Sequence, residues 1–244
     1  MEAERENPAG QPGGALDGVH ISRRYDQELE QLRERILAMG SNLVGMIKET
    51  MRALIERDSA AATRMIEYDH EINRQEVMID ELSLNIIALR QPAARDLRFI
   101  TLALKVSTDL ERIGDLCVNI AERTLELNQE TQLKPYIDLP KMAEAAEGMI
   151  VDALEAFLRG DAELAAEVTR RDDYMDQLNV QVFRELLTFM MEDPKTISRA
   201  TRLIFIGKNL ERIADHATNI AEMVIFMVKG KDIRHMGVAD QNQP

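Results

Sequence analysis

The segment Thr108 to Glu122, TDLERIGDLCVNIAE, lies over Lys208 to Glu222, KNLERIADHATNIAE, at an offset of 100 residues without a gap, and nine of the fifteen positions are identical. Over the fifteen preceding positions only Thr101 and Thr201 agree, and none of the ten following positions does. Self-similarity at a fixed offset marks a duplicated supersecondary unit, so each half must fold the same way. The unit is helical. Glu, Leu, Ala, Arg, Ile and Met dominate, aromatic residues are 4% of the chain, and there is no Trp. No stretch rich in Val, Thr and aromatics is present to build a sheet.

The apolar spacing gives the helices. Leu29, Leu32, Ile36, Met39, Leu43, Met46 and Ile47 predict a helix over about 23–57. Asp58 and Ser59 are placed to cap the next one. Its seam runs through Met65, Tyr68, Ile72, Gln75, Ile79, Leu82, Ile86 and Leu89 in steps of three and four, and it ends at Gln91. Pro92 suits the first turn of a third helix, which continues through Leu110, Ile113, Cys117, Ile120 and Leu127 to about Asn128. A second set of three is expected over about 141–159, 161–192 and 195–229, broken at Gly160 with Asp161 and at Asp193 with Pro194. The fold class is therefore all-α, two tandem three-helix bundles with six long helices. Residues 1–20, with Pro8, Pro12 and a run of glycines, read as a disordered tail. Residues 21–128 form the first bundle, 129–140 a linker holding Pro135 and Pro140, 141–230 the second bundle and 231–244 a C-terminal tail.

Charge narrows the partners. A formal charge of −13 and a pI near 4.9 repel nucleic acid and anionic membrane, since phosphate binding needs clustered Lys and Arg. Any control of gene expression should pass through protein partners, with the acidic surface choosing basic patches or metal cations. The single cysteine, Cys117, excludes an intrachain disulfide, fits a reducing compartment and reads as core filler. The N-terminus lacks the basic start and apolar stretch of a signal peptide, and the apolar run Met223 to Val228 falls far short of the roughly 20 residues a bilayer needs. A cytoplasmic protein with no membrane insertion is expected.

Within the repeated window, core packing accounts for Leu110, Ile113, Ile120 and their copies, because a core asks only for apolar positions of suitable volume. It does not account for Glu111, Arg112, Asp115, Asn119 and Glu122, matched by Glu211, Arg212, Asp215, Asn219 and Glu222. At about 100° per residue the acidic members occupy a sector of roughly 80°, approximately opposite the apolar stripe. On the preceding helix of each half, Asp69 with Asn73, and Asp172 with Asp176, fall on the flank of the seam at a spacing of four. Carboxylates so spaced repel by about 0.2–0.5 kcal/mol, and a bound cation would offset this. Two rows on adjacent helices supply oxygen donors for more than one hard or borderline ion, so a surface metal cluster is expected on each half. The bland alternative is a solvated face on which Arg112 meets Asp115 and Arg212 meets Asp215 as surface ion pairs worth little.

His70 and His216 stand one position off the acidic rows, and His20 and His235 near the ends, so all four read as surface or edge residues. The seams lack the buried Glu and Glu-x-x-His set of a di-iron oxidase. No Gly-rich phosphate loop, Ser-His-Asp set, Cys-x-x-Cys or His-Glu-x-x-His is present, and no catalytic activity is expected. The fourteen methionines read mainly as adaptable core.

The motifs LERIGDLCVNIAE and LERIADHATNIAE, preceded by RQPAARDLR, resemble the paired signatures of the PhoU family of phosphate transport accessory and regulatory proteins. The likeness extends through YDQELEQLRERILAMGSNLVGMI and the Asp69 to Asn73 stretch, from about residue 20 to 235. It implies two similar three-helix bundles, often dimeric, that bind multinuclear clusters of iron or another metal such as zinc or manganese. The family spacing matches Glu111, Asp115 and Asn119, then Glu211, Asp215 and Asn219, with Asp69 and Asn73, and Asp172 and Asp176, as the partner motif. Asn73 stands where the family has a carboxylate. The resemblance further implies a negative regulator of the phosphate-starvation response and of phosphate uptake, linking a phosphate ABC transporter to a sensor histidine kinase. A helical scaffold whose acidic rows bind nothing is the alternative, and a metal-dependent hydrolase or oxidase using the same rows is a third reading.

Overall fold

A computed structural model describes residues 14–229, with side chains from residue 23 onward. The first three helices are α1 (Gly14–Glu56), α2 (Ser59–Arg90) and α3 (Ala94–Asn128). They are followed by α4 (Asp138–Arg159), α5 (Ala162–Glu192) and, after a 3-10 turn at Pro194–Thr196, α6 (Ile197–Lys229). The described residues form no strand.

Local chemistry sets the corners. Asp58 caps α2, its carboxylate accepting from the Ala61 N–H at 2.9 Å. Arg57 adopts a positive φ of 59°. Its guanidinium donates to the carbonyls of Leu127 at 3.1 Å and Asn128 at 3.0 Å at the C-terminus of α3, where the Leu127 carbonyl also accepts from the Glu130 N–H. Gly160 ends α4 in the left-handed conformation, and Asp161 opens α5 by accepting from Glu163 and Leu164.

Several boundaries differ from the sequence expectation. The first helix starts at Gly14, inside the segment read as a tail, while residues 1–13 and 230–244, which include the expected C-terminal tail, lie outside the described residues. Pro92 precedes α3, which begins at Ala94 behind an extended Ala93; Pro194 instead opens the 3-10 turn, so the two prolines are not structural equivalents. The fourth helix begins at Asp138, which takes Pro140 into its first turn, where a missing N–H costs no hydrogen bond. Asp138 is buried between Lys141 and the Gln181 amide of α5, and this anchors the earlier start. Leu89, expected on the α2 seam, is 70% exposed because the chain turns away at Gln91.

Helices α1, α2 and α3 pack on one another, as do α4, α5 and α6, and the two sets meet through α3 against α6 and α1 against α4. One hydrophobic core runs from Leu29 to Ile225 through all six helices. At the α1–α4 joint, a methyl on Gly40 would sit 2.1 Å from Leu154 Cδ1, so the glycine admits the leucine. Phe99 of α3 stacks on Phe157 of α4 with ring centroids 5.1 Å apart, and Arg33 of α1 lies over Phe99.

Candidate functional site

The acidic rows face each other across the α2–α3 groove in the first half and the α5–α6 groove in the second. Asp69 is buried beneath the α2–α3 contact, where a methyl on Gly114 would lie 3.0 Å from its Oδ1. The absence of a side chain at Gly114 therefore lets α3 approach the carboxylate. Asn73 Nδ2 donates to Asp69 Oδ2 at 3.0 Å, while Asp69 Oδ1 and Asn73 Oδ1 are buried without a hydrogen-bond partner among the described residues. Glu111 is half-buried, and Asp115, Asn119 and Glu122 are exposed.

Two further acids extend the α2 row. Glu76 Oε1 accepts from the Thr108 hydroxyl at 3.2 Å and Asp80 Oδ1 from the Ser107 hydroxyl at 3.2 Å. The positions 69, 73, 76 and 80 continue one helical face, and that periodicity was the available signal for the two that the sequence reading missed. Burial, then the Asp115 charge, holds the Asp69 carboxyl above its ordinary range. Burial also raises Glu76, and burial followed by the charges of Asp115, Glu76 and Asp69 raises Glu111. These groups share one repulsive field.

In the second half Asp172 is half-buried and accepts from the Thr218 hydroxyl at 3.4 Å, while Asp176 is exposed. Burial, then Asp176, raises Asp172; burial, then Glu211 and Asp172, raises Asp215. Lys208 pairs with Glu211 and partly offsets the repulsion. Asn219 is exposed. It lines a cavity between α3 and α6 with Lys105 and Arg112. The rows thus lie beside interhelical grooves: Glu111, Glu211 and Asp215 are half-buried, while Asp115, Asn119 and Glu122 stand exposed on the side the helical wheel leaves open.

The donor chemistry suits a hard or borderline cation: carboxylate and amide oxygens, with Asp69 Oδ1 and Asn73 Oδ1 unsatisfied, in a field that disfavours the carboxylates' own charge. The side chains do not form a closed shell, since among the described residues no three His, Cys, Asp or Glu side chains converge on a point that would hold an ion.

His216 departs from expectation. It is 9% exposed, and its Nδ1 lies 2.8 Å from Asp109 Oδ1 across the α3–α6 joint, so it is a buried interhelical residue and not an edge one. Cys117 is buried in the core as expected, and burial, then Asp69, pushes its thiol far above its ordinary value.

The PhoU domain model matches residues 36–124 and again 139–224, one match in each half. The chain belongs to the PhoU family. It is 44% identical over 220 residues, 90% of this chain and 86% of the relative, to the phosphate-specific transport system accessory protein PhoU homolog of Pseudomonas putida. It is 37% identical over 218 residues, 89% of this chain and 90% of the relative, to the phosphate-specific transport system accessory protein PhoU of Escherichia coli K12. The crystal structure of PhoU from Pseudomonas aeruginosa superposes with a TM-score of 0.80 at 42% identity, covering 85% of this chain and all of that one. PhoU from Streptococcus pneumoniae, a phosphate transport system regulatory protein, gives 0.78 at 29% identity over 85% of this chain and 98% of that one. The PhoU fold of two helical bundles is therefore common to the chain and these neighbours.

Proposed function

We propose that this protein is a non-catalytic, metal-binding PhoU-family adaptor that represses phosphate uptake and the phosphate-starvation response from the cytoplasm. Its partners would be a phosphate ABC transporter and a sensor histidine kinase, and its working form a homodimer. The observation that carries the reading is the match of both halves to one family whose named relatives serve phosphate transport. No described helix is long and apolar enough to cross a membrane. Metal binding rests on the two grooves of oxygen donors, Asp69, Asn73, Glu111 and Asp115 in one half and Asp172, Asp176, Glu211 and Asp215 in the other. Iron, zinc or manganese would supply the positive charge that these rows lack.

Two measurements test this. Expression in a phosphate-replete host lacking its own PhoU-family protein should silence a phosphate-starvation reporter; a reporter that stays on refutes the regulatory role. Elemental analysis of tag-free protein should find stoichiometric metal that disappears when Glu111, Asp115, Glu211 and Asp215 become their amides. Negligible metal in both proteins after reconstitution would favour the scaffold reading, to which the unconverged side chains give specific support.

A further inference from the structure

The duplication creates two related grooves along the α3–α6 joint, and the two have diverged in charge. In one, Arg202 of α6 binds Glu126 at 2.6 Å and Glu130 at 2.9 Å on α3, Arg199 approaches Glu130 at 3.7 Å, and Arg123 pairs with Glu126. That groove is neutralised by its own carboxylates.

At the 100-residue offset the partners of Arg202, Glu126 and Arg123 are Leu102, Phe226 and Met223. The second groove therefore has an apolar floor where the first has ion pairs. Two adjoining cavities occupy it, about 120 Å³ between Arg98, Leu102, Phe226 and Met227, and about 430 Å³ between Leu104, Arg112 and Asn219, with Lys105 and Met223 lining both. Phe226 remains 42% exposed there. Arg98, Lys105 and Arg112 are exposed, seven residues apart on one face of α3, and none has an ion pair among the described residues. Arg112 also eases the repulsion at Glu76 and Glu111, and Asp109, which lines the larger cavity beside Lys105 and Arg112, has its carboxylate engaged by His216, so Arg98 and Lys105 remain available to an incoming carboxylate.

We propose that this groove docks an acidic amphipathic helix of a partner protein. A seven-residue cation spacing over two heptads spans about 21 Å, the length of a four-turn helix whose carboxylates recur at the same interval. Its apolar face would cover Phe226 and Met223. An acidic occupant suits an otherwise acidic chain because a Debye length of about 8 Å screens distant carboxylates while the rim cations act in contact. A membrane suits it less: the groove is recessed between two helices, and a net charge of −13 opposes an anionic bilayer. The proposal stands apart from the metal reading, since Arg98, Lys105 and Phe226 belong to neither donor row.

The test is selection of a displayed library of 20-residue helical peptides on the full chain, followed by fluorescence anisotropy of the enriched sequences. Enrichment of Glu or Asp at seven-residue spacing beside a Leu, Phe or Met stripe is expected. Binding should weaken at least about tenfold in the Arg98→Glu/Lys105→Glu variant and in Phe226→Glu, which copies the Glu126 arrangement, but not in Arg35→Glu on the surface of α1. Circular dichroism confirms that each variant is folded. Binders without acidic bias, or equal binding by all variants, would overturn the proposal. So would Lys105-dependent flotation with phosphatidylglycerol vesicles in place of peptide binding, or a Lys105-dependent self-association in sedimentation that shows a second copy filling the groove.

Discussion

His216 and Asp109 meet at the joint of the two halves, where each would otherwise leave a buried polar group to satisfy. At the 100-residue offset their counterparts are Leu116 and Asn209, an apolar and a neutral residue. Replacing His216 by Leu alone strands the Asp109 carboxylate and should cost about 1–3 kcal/mol in urea denaturation of the full chain. Adding Asp109→Asn should recover most of that loss; a double variant as weak as the single one would show that the histidine acts by packing alone. A second outcome belongs to Cys117: its buried, proton-retaining thiol should ignore an aromatic disulfide reagent in the native protein and react on unfolding. The cysteine's role as core was legible from its place on the apolar stripe. The histidine's was not, because one helix's periodicity places His216 beside the acidic row and says nothing of the helix packed against that flank.

At the scale of the helix, the facing rows make stability depend on pH. Asp69, Glu76, Glu111, Asp172 and Asp215 hold protons more tightly folded than unfolded. Their stabilising contribution is present below the ordinary carboxylate range and is lost as pH rises through their raised values. Arginine hydrogen bonds lower Glu28, Glu49 and Glu126, whose contribution is lost only as pH falls through still more acid values. Metal-free protein should therefore melt higher as pH drops from neutral toward the carboxylate range. Asp69→Asn with Asp172→Asn should raise the neutral-pH melting temperature and flatten that slope; an unchanged profile would remove the repulsion argument. Asp115→Ala with Asp215→Ala should keep full helix content by circular dichroism, since Asp115 is exposed and Asp215 only half-buried. The six helices were legible from heptad-like spacing and their Asp and Gly corners. Their ends were less so: Pro92 and Pro194 look alike in sequence, yet the cap before each decides whether a loop or a 3-10 turn follows.

For the whole molecule, the continuous core has a consequence for cooperativity. An isolated first half would expose the α3 face that α6 covers, with the Phe99 ring deprived of Phe157. Residues 23–136 alone should retain helix but bind a hydrophobic dye and melt without a sharp transition, whereas the full chain should unfold in one step. A sharp, independent transition in the fragment would show that the duplicated units are autonomous. The sequence alone determined the repeat, the helical class, the oxygen-donor rows and the family, because these depend on residue type and on spacing along single helices. Only the tertiary structure decided that the rows face across grooves, that Glu76 and Asp80 extend one of them, that His216 is buried on Asp109, and that one of two related grooves keeps unpaired cations. Each of these is a contact between helices distant in sequence, set by how six amphipathic stripes share one core, and no periodicity within a single helix encodes it.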